Sequence, residues 1–206
     1  DVPVLDPVAV DGREEDAQWQ SVAWQPITRT NMNKGVTYQS RFKAVAGRDT
    51  LYLLVECTEP FTENIVALMT NDGPSVLSDD SVEIFIDEDE NAPDGKYWQL
   101  GFNTLAKRFV LMIDRSGEGQ QAVPLQHEAM AAVSINANKN WVAEIAISWK
   151  AIAGSPIVPG TSWRLNVCRN RNTKGSGTLW SNWSVTGGTF HAPSRFGRIT
   201  FRSSGK

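Results

Sequence analysis

The segment Ser81-Val82-Glu83-Ile84-Phe85-Ile86-Asp87 alternates so regularly that an extended strand is the element it suits. Side chains of a strand project to opposite faces in turn, so Val82, Ile84 and Ile86 share one face and Ser81, Glu83 and Phe85 the other. The first face must meet a core. The second sets a carboxylate beside an aromatic ring, and two readings of it are open. One is a glutamate facing water beside a second, smaller core. The other is a sugar-holding surface, where the acid accepts hydroxyl hydrogen bonds and the ring covers an apolar C–H face.

Segments of the same kind recur along the chain. Val36–Val45 ends in the turn Ala46-Gly47-Arg48-Asp49 and Leu51–Thr58 follows as its hairpin partner. Lys96–Thr104, Arg108–Asp114, Ala129–Asn136, Asn140–Ser148, Thr161–Arg169, Leu179–Val185 and Gly197–Arg202 also read as strands, while Asn64–Thr70 suits a strand or a short helix. Residues 1–10 form an edge strand or an arm on the body. A turn at Asp11-Gly12 leads into a short helical stretch that points Trp19 inward, and Trp149–Ile152 makes one further helical turn. No long helical period and no internal repeat interrupts this series. The expected fold is all-β, an antiparallel β-sandwich of jelly-roll-like form with one or two short helical turns. At 206 residues without a linker, 1–206 reads as one domain.

Composition narrows the function. A formal charge of −3 lacks the clustered basic footprint of nucleic-acid binding, and no segment reaches the roughly 20 apolar residues of a membrane span. The chain opens on Asp1 and has no signal-peptide pattern, which reads as a processed or excised piece. Two cysteines are too few for a disulfide framework. Cys57 shares parity with Leu51, Leu53 and Val55, whereas Cys168 opposes Leu165 and Val167, so the thiols belong to opposite faces and stay free. No metalloprotease, serine-hydrolase or nucleotide-binding motif is present. A haem site would need His127 or His191 paired with Met69, Met112 or Met130, and no spacing supports that pairing.

Two further regions carry candidate chemistry. Asp87, Asp89 and Asn91 repeat the first three ligand positions of an EF-hand loop, whose oxygen ligands suit Ca²⁺. Ala92 and Trp98 then break the motif, and a solvated acidic turn is the competing reading. In the tail, Leu179, Trp183 and Val185 share parity, which sends Trp183 to the core and leaves Trp180 and Asn182 on the other face. The loop Gly187-Gly188 lets Phe190 and His191 project from a flexible connection. Parity also groups Tyr97, Gln99, Gly101 and Asn103, and Asn166, Cys168 and Asn170, on the mixed face of Glu83. Amides and an acid beside rings are what a sugar site requires.

Taken in order, Val10-Asp11-Gly12 with Trp19, Leu51-Tyr52-Leu53-Leu54-Val55, Asp80-Ser81-Val82-Glu83-Ile84-Phe85-Ile86-Asp87, Glu144-Ile145-Ala146-Ile147-Ser148-Trp149 and Pro193-Ser194-Arg195-Phe196-Gly197 resemble carbohydrate-binding module family nine. The resemblance spans nearly the whole chain, and its most specific string is Asp-Ser-Val-Glu-Ile-Phe-Ile-Asp. It implies a β-sandwich, structural calcium and a non-catalytic sugar site, carried by a secreted polysaccharide-degrading enzyme. By motif position, the family's two sugar-sandwiching tryptophans fall on Leu77 and Phe190, its binding carboxylate on Glu83 and its strand asparagine on Asn103. The adjacent arginine position is Gly101, and the Asn-rich loop before the second tryptophan has become Gly187-Gly188. Leu77 cannot stack as tryptophan does.

The resulting expectation is a secreted or extracellular, non-catalytic module that binds a polysaccharide or oligosaccharide and is covalently linked to a catalytic domain. Glu83, Gln99, Asn103 and Asn170 supply its hydrogen bonds, and Phe190 and Trp180 its stacking surfaces. Asp87, Asp89 and Asn91 are the calcium candidates. The alternative is a degenerate sandwich serving as a spacer or protein-docking domain, marked by an exposed apolar patch around Leu77.

Overall fold

Apolar residues at a spacing of two become strands throughout the computed structural model, which describes residues 1–89, 95–114, 121–125, 129–150, 154–172, 174 and 177–203. In chain order the elements are β1 (Val2–Val4), α1 (Ala17–Gln20), β2 (Gln25–Thr30), β3 (Gly35–Ala46), β4 (Thr50–Cys57), β5 (Ser81–Asp87), β6 (Lys96–Asn103) and β7 (Arg108–Asp114). There follow β8 (Gln121–Leu125), β9 (Ala129–Ile135), β10 (Trp141–Ser148), β11 (Ser162–Arg171), β12 (Leu179–Asn182) and β13 (Gly197–Ser203). Short 3₁₀ turns occupy Thr62–Asn64, Pro74–Ser78 and Pro193–Arg195.

The strands run β8-β7-β6-β5-β11-β12-β2-β3-β4-β10-β9, and β1 and β13 join β3 to β11 by a second route. The path therefore folds back on itself, and its two arms face each other as the layers of a sandwich. Val82, Ile84 and Ile86 of β5 and Leu100 and Phe102 of β6 meet Leu51, Leu53 and Val55 of β4 and Ala143, Ile145 and Ile147 of β10 in the main core. This is the all-β sandwich that the alternation predicts.

Each layer also carries a smaller cluster on its outer face. Outside β4 and β10, Val8 and Trp19 of the N-terminal segment cover Tyr52, Leu54, Val142 and Ala146. Buried Glu144 pins that segment: its Oε1 accepts from Trp19 Nε1 at 2.7 Å, and its Oε2 from the backbone N–H groups of Asp11 and Gly12 at 2.8 and 3.0 Å. Outside β5 and β6, Phe85, Tyr97, Ile113, Cys168, Phe190 and Phe196 pack together. Cys57 lies in the main core and Cys168 in this outer cluster, both unbridged.

Several elements differ from the sequence reading. Strands β2 and β8 were not expected. The segment 64–70 is neither strand nor helix beyond its 3₁₀ turn, because side-chain carboxylates take the place of a ladder partner. Asp80 accepts from Val66 N at 3.0 Å, and Asp79 from Leu68 N and Met69 N at 2.9 and 2.8 Å. Strand β12 stops at Asn182, after which Trp183 N donates to Val167 O and the Asn166 side chain exchanges two hydrogen bonds with the Ser184 backbone. The expected helical turn at 149–152 falls partly outside the described residues.

Candidate functional site

A cleft of about 330 Å³ opens on the outer face of β5, β6 and β11, lined by Asn31, Leu77, Glu83, Gln99, Asn170, Trp180, Gly188, Thr189, Phe190 and His191. Its volume falls within the range of about 300–1,000 Å³ usual for small-molecule sites. Glu83 lies at its floor, 4% exposed. Antiparallel pairing sets Gly101 of β6 and Cys168 of β11 directly opposite it, with Gln99 and Asn170 on the diagonals. Gln99 Nε2 donates to Glu83 Oε2 at 2.7 Å and Asn170 Nδ2 to Oε1 at 2.8 Å. Burial raises the pKa of Glu83 above 4.5, and the two amide hydrogen bonds oppose that rise.

The walls come from three separate stretches. Trp180 pairs with Asn170 across β11 and β12 and is 51% exposed, a free aromatic face beside the carboxylate. The loop through Gly187 and Gly188 is fixed to the β2–β3 turn, with Gly187 N donating to Asn31 O at 2.7 Å and Asn31 Nδ2 to Gly188 O. Both glycines have positive φ, +80° and +140°, a backbone region that L side chains rarely adopt. His191 Nδ1 shares a hydrogen bond of 2.8 Å with Tyr97 Oη, and its ring meets Phe85 edge-on.

The structure thus gathers Glu83, Gln99, Asn170, Trp180 and Phe190 around one cleft and leaves Asn103 out. Asn103 is fully buried and its amide is saturated. Nδ2 donates to Met69 O and Asp79 Oδ2, while Oδ1 accepts from Leu105 N and Lys107 N. Phe190 lines the cleft but does not project from a mobile loop: it is 9% exposed and packs against Phe85. Its ring belongs to the outer cluster, so Trp180 is the ring with a free face. Asn182, expected to be available to a ligand, is fully buried, and Asn166 is spent on Ser184.

The cleft also holds residues that the sequence reading missed. Asn31 and Thr189 had no signal, since no pattern links a turn to a loop over 150 residues away. His191, read with Phe190 as projecting from the Gly187-Gly188 loop, lines the cleft as well.

Of the calcium candidates, Asp87 is buried and its Oδ1 accepts from Asp89 N at 3.0 Å. Asp89 is exposed, and Asn91 lies outside the described residues. Among the described residues no three His, Cys, Asp or Glu side chains converge on a metal position. Nor are haem ligands brought together among the described residues. His191 sits on the outer face, Met112 packs against the main core and Met130 is exposed on β9, while His127 lies outside the described residues. No helix is long and apolar enough to cross a membrane among the described residues.

A family model described as "Carbohydrate family 9 binding domain-like" matches residues 10–204. Three solved structures share the fold at low identity. A carbohydrate-binding module family 9 from Caldicellulosiruptor kristjanssonii, in complex with cellotriose, is 18% identical with a TM-score of 0.72, covering 99% of this chain and 93% of its own. The module of that family and organism in complex with glucose is 19% identical with a TM-score of 0.71, covering 99% and 95%. A protein of Bacteroides uniformis described as a candidate carbohydrate-binding protein is 16% identical with a TM-score of 0.76, covering 98% and 97%. No curated protein matches the chain significantly.

Proposed function

This chain belongs to the carbohydrate family 9 binding domain-like family, and on that premise we propose that it is a non-catalytic glycan-binding module whose site is the Glu83 cleft. The observation that carries the proposal is the convergence of a buried carboxylate, two amides and a half-exposed tryptophan. The first three match sugar hydroxyls and the ring matches a sugar's C–H face. Cellotriose and glucose, the ligands of the structural relatives, are the first candidates.

The carboxyl count supports binding without hydrolysis: glycosidases of the common kind need two carboxyl groups flanking the bond, and Glu83 is the one carboxylate among the described lining residues. The docking alternative required an apolar patch at Leu77, but Leu77 is half-buried at the edge of a cleft that Glu83, Gln99 and Asn170 also line, which favours the glycan. The proposal extends to secretion and to service as an accessory module of a polysaccharide-degrading enzyme. It extends also to a structural calcium at Asp87 and Asp89, which a fall in Tm on adding EGTA would support.

The test is titration calorimetry against a glycan panel containing cellotriose and glucose, with calcium supplied. Binding of at least one glycan, weakened by Glu83→Ala, is expected. Failure of every glycan to bind would overturn the proposal.

A further inference from the structure

Glu83 has no lysine or arginine partner among the described residues. The residues directly opposite it are Gly101 and Cys168, and its hydrogen-bond partners Gln99 and Asn170 are neutral amides. No side chain fits at Gly101, where a Cβ would stand 2.2 Å from Phe109 Cε1. The arginines that flank Asn170 in sequence point to the opposite face of β11, where Arg169 and Arg171 both bind Glu59, at 3.1 and 2.7 Å. Among the described residues no lysine or arginine lines the cleft. His191, the other titratable group on its wall, is turned to Tyr97.

A carboxylate desolvated beside neutral amides is only partly compensated, because hydrogen bonds from amides leave the net charge in place. What the cleft adds is the face of Trp180, one strand pairing from the amide that holds Glu83. Aromatic faces attract cations through the ring quadrupole. A buried anion with an open aromatic face and no lysine or arginine in its described lining complements an ammonium group. It opposes a uronate or sulfate.

Building on the reading of this cleft as a glycan site, we propose that its preferred ligand is an amino sugar, with the free ammonium on Glu83 and the sugar ring against Trp180. Glucosamine-containing oligosaccharides therefore bind better than neutral ones, and polyuronates bind worst.

The experiment is calorimetry of the whole chain with three trisaccharides, the glucosamine trimer, its N-acetylated counterpart and cellotriose, at low and high NaCl and at a pH that keeps the amines charged. A charge-assisted hydrogen bond predicts at least about a tenfold preference for the glucosamine trimer. That preference is largely retained at high NaCl, because a desolvated pair is screened far less than exposed charges, and cellotriose binding is unchanged by salt. Glu83→Gln removes the preference, and Glu15→Gln, at an exposed position remote from the cleft in sequence, keeps it. Equal or tighter binding of cellotriose or of the N-acetylated trimer would overturn the inference and leave the glycan reading standing. A preference that survives in Glu83→Gln would also overturn it, tracing the effect to the chain's net charge of −3. Where Glu83→Gln does not fold, the unmodified chain decides: a preference retained at high NaCl supports the pairing with Glu83, and one abolished by salt overturns it, tracing the effect to the net charge. If none of the trisaccharides binds, the glycan reading itself fails.

Discussion

Trp180 and Phe190 are two rings on one cleft, and truncating each to alanine separates binding from folding. Trp180 is 51% exposed and Phe190 9%. A tryptophan side chain offers up to roughly 250 Å², so a sugar laid on the free face of Trp180 removes on the order of 80–100 Å² from water. At about 25 cal/mol per Å² that contributes about 2–2.5 kcal/mol. Trp180→Ala should therefore raise the Kd for cellotriose about 30- to 60-fold, while Tm moves by no more than about 2 °C, as for other surface substitutions. Phe190→Ala instead empties part of the cluster around Phe85, costing about 3–5 kcal/mol, and should lower Tm by about 6–20 °C. Calorimetry gives the first quantity and a thermal melt the second. Unchanged affinity in Trp180→Ala, or an intact Tm with lost affinity in Phe190→Ala, would show that the free face belongs to the other ring and refute the assignment.

Asn103→Ala removes four hydrogen bonds, two with the turn after β6 and two with Met69 and Asp79, without touching the cleft, so it should cost about 2–3 kcal/mol in a denaturant melt and leave the Kd of the folded protein unchanged. Burial pushes the Cys57 thiol up to about 11 and the Cys168 thiol well above its ordinary value. Ellman's reagent should accordingly find no reactive thiol in the native chain and both after unfolding. Glu83 is held above 4.5 by burial, so just above pH 4.5 the folded state keeps a proton that the unfolded chain has released. Its contribution to stability is therefore full below pH 4.5 and falls as pH rises through the folded value. Glu83→Gln should flatten that part of the stability–pH curve measured by denaturant titration.

The sandwich was legible because period two is a property of single strands. Val82, Ile84 and Ile86 needed no knowledge of their partners to be assigned inward, nor did Leu51, Leu53 and Val55. Elements whose backbone is satisfied by distant side chains escaped the same reasoning. The stretch 64–70 reads as a strand or helix but forms neither, because Asp79 and Asp80, ten or more residues further on, take the place of its ladder. Strand β2 carries little alternation, because Ile27 is the one residue along it that is buried.

The site was legible as a face and not as a place. Asn103 and Asn170 share parity with Glu83, and both pair with Ser81, one from each side. By register they are equivalent. What separates them is where their strands end. β6 stops at Asn103, and the turn that follows holds Ala106 at φ +57°, so its backbone N–H groups at Leu105 and Lys107 need an acceptor, and the Asn103 carbonyl supplies it. β11 runs one residue past Asn170, with Trp180 paired beside it, so that amide is free to turn along the strand to Glu83. Side-chain type and parity thus name the residues able to face a cleft, and the terminus of the strand decides which of them does.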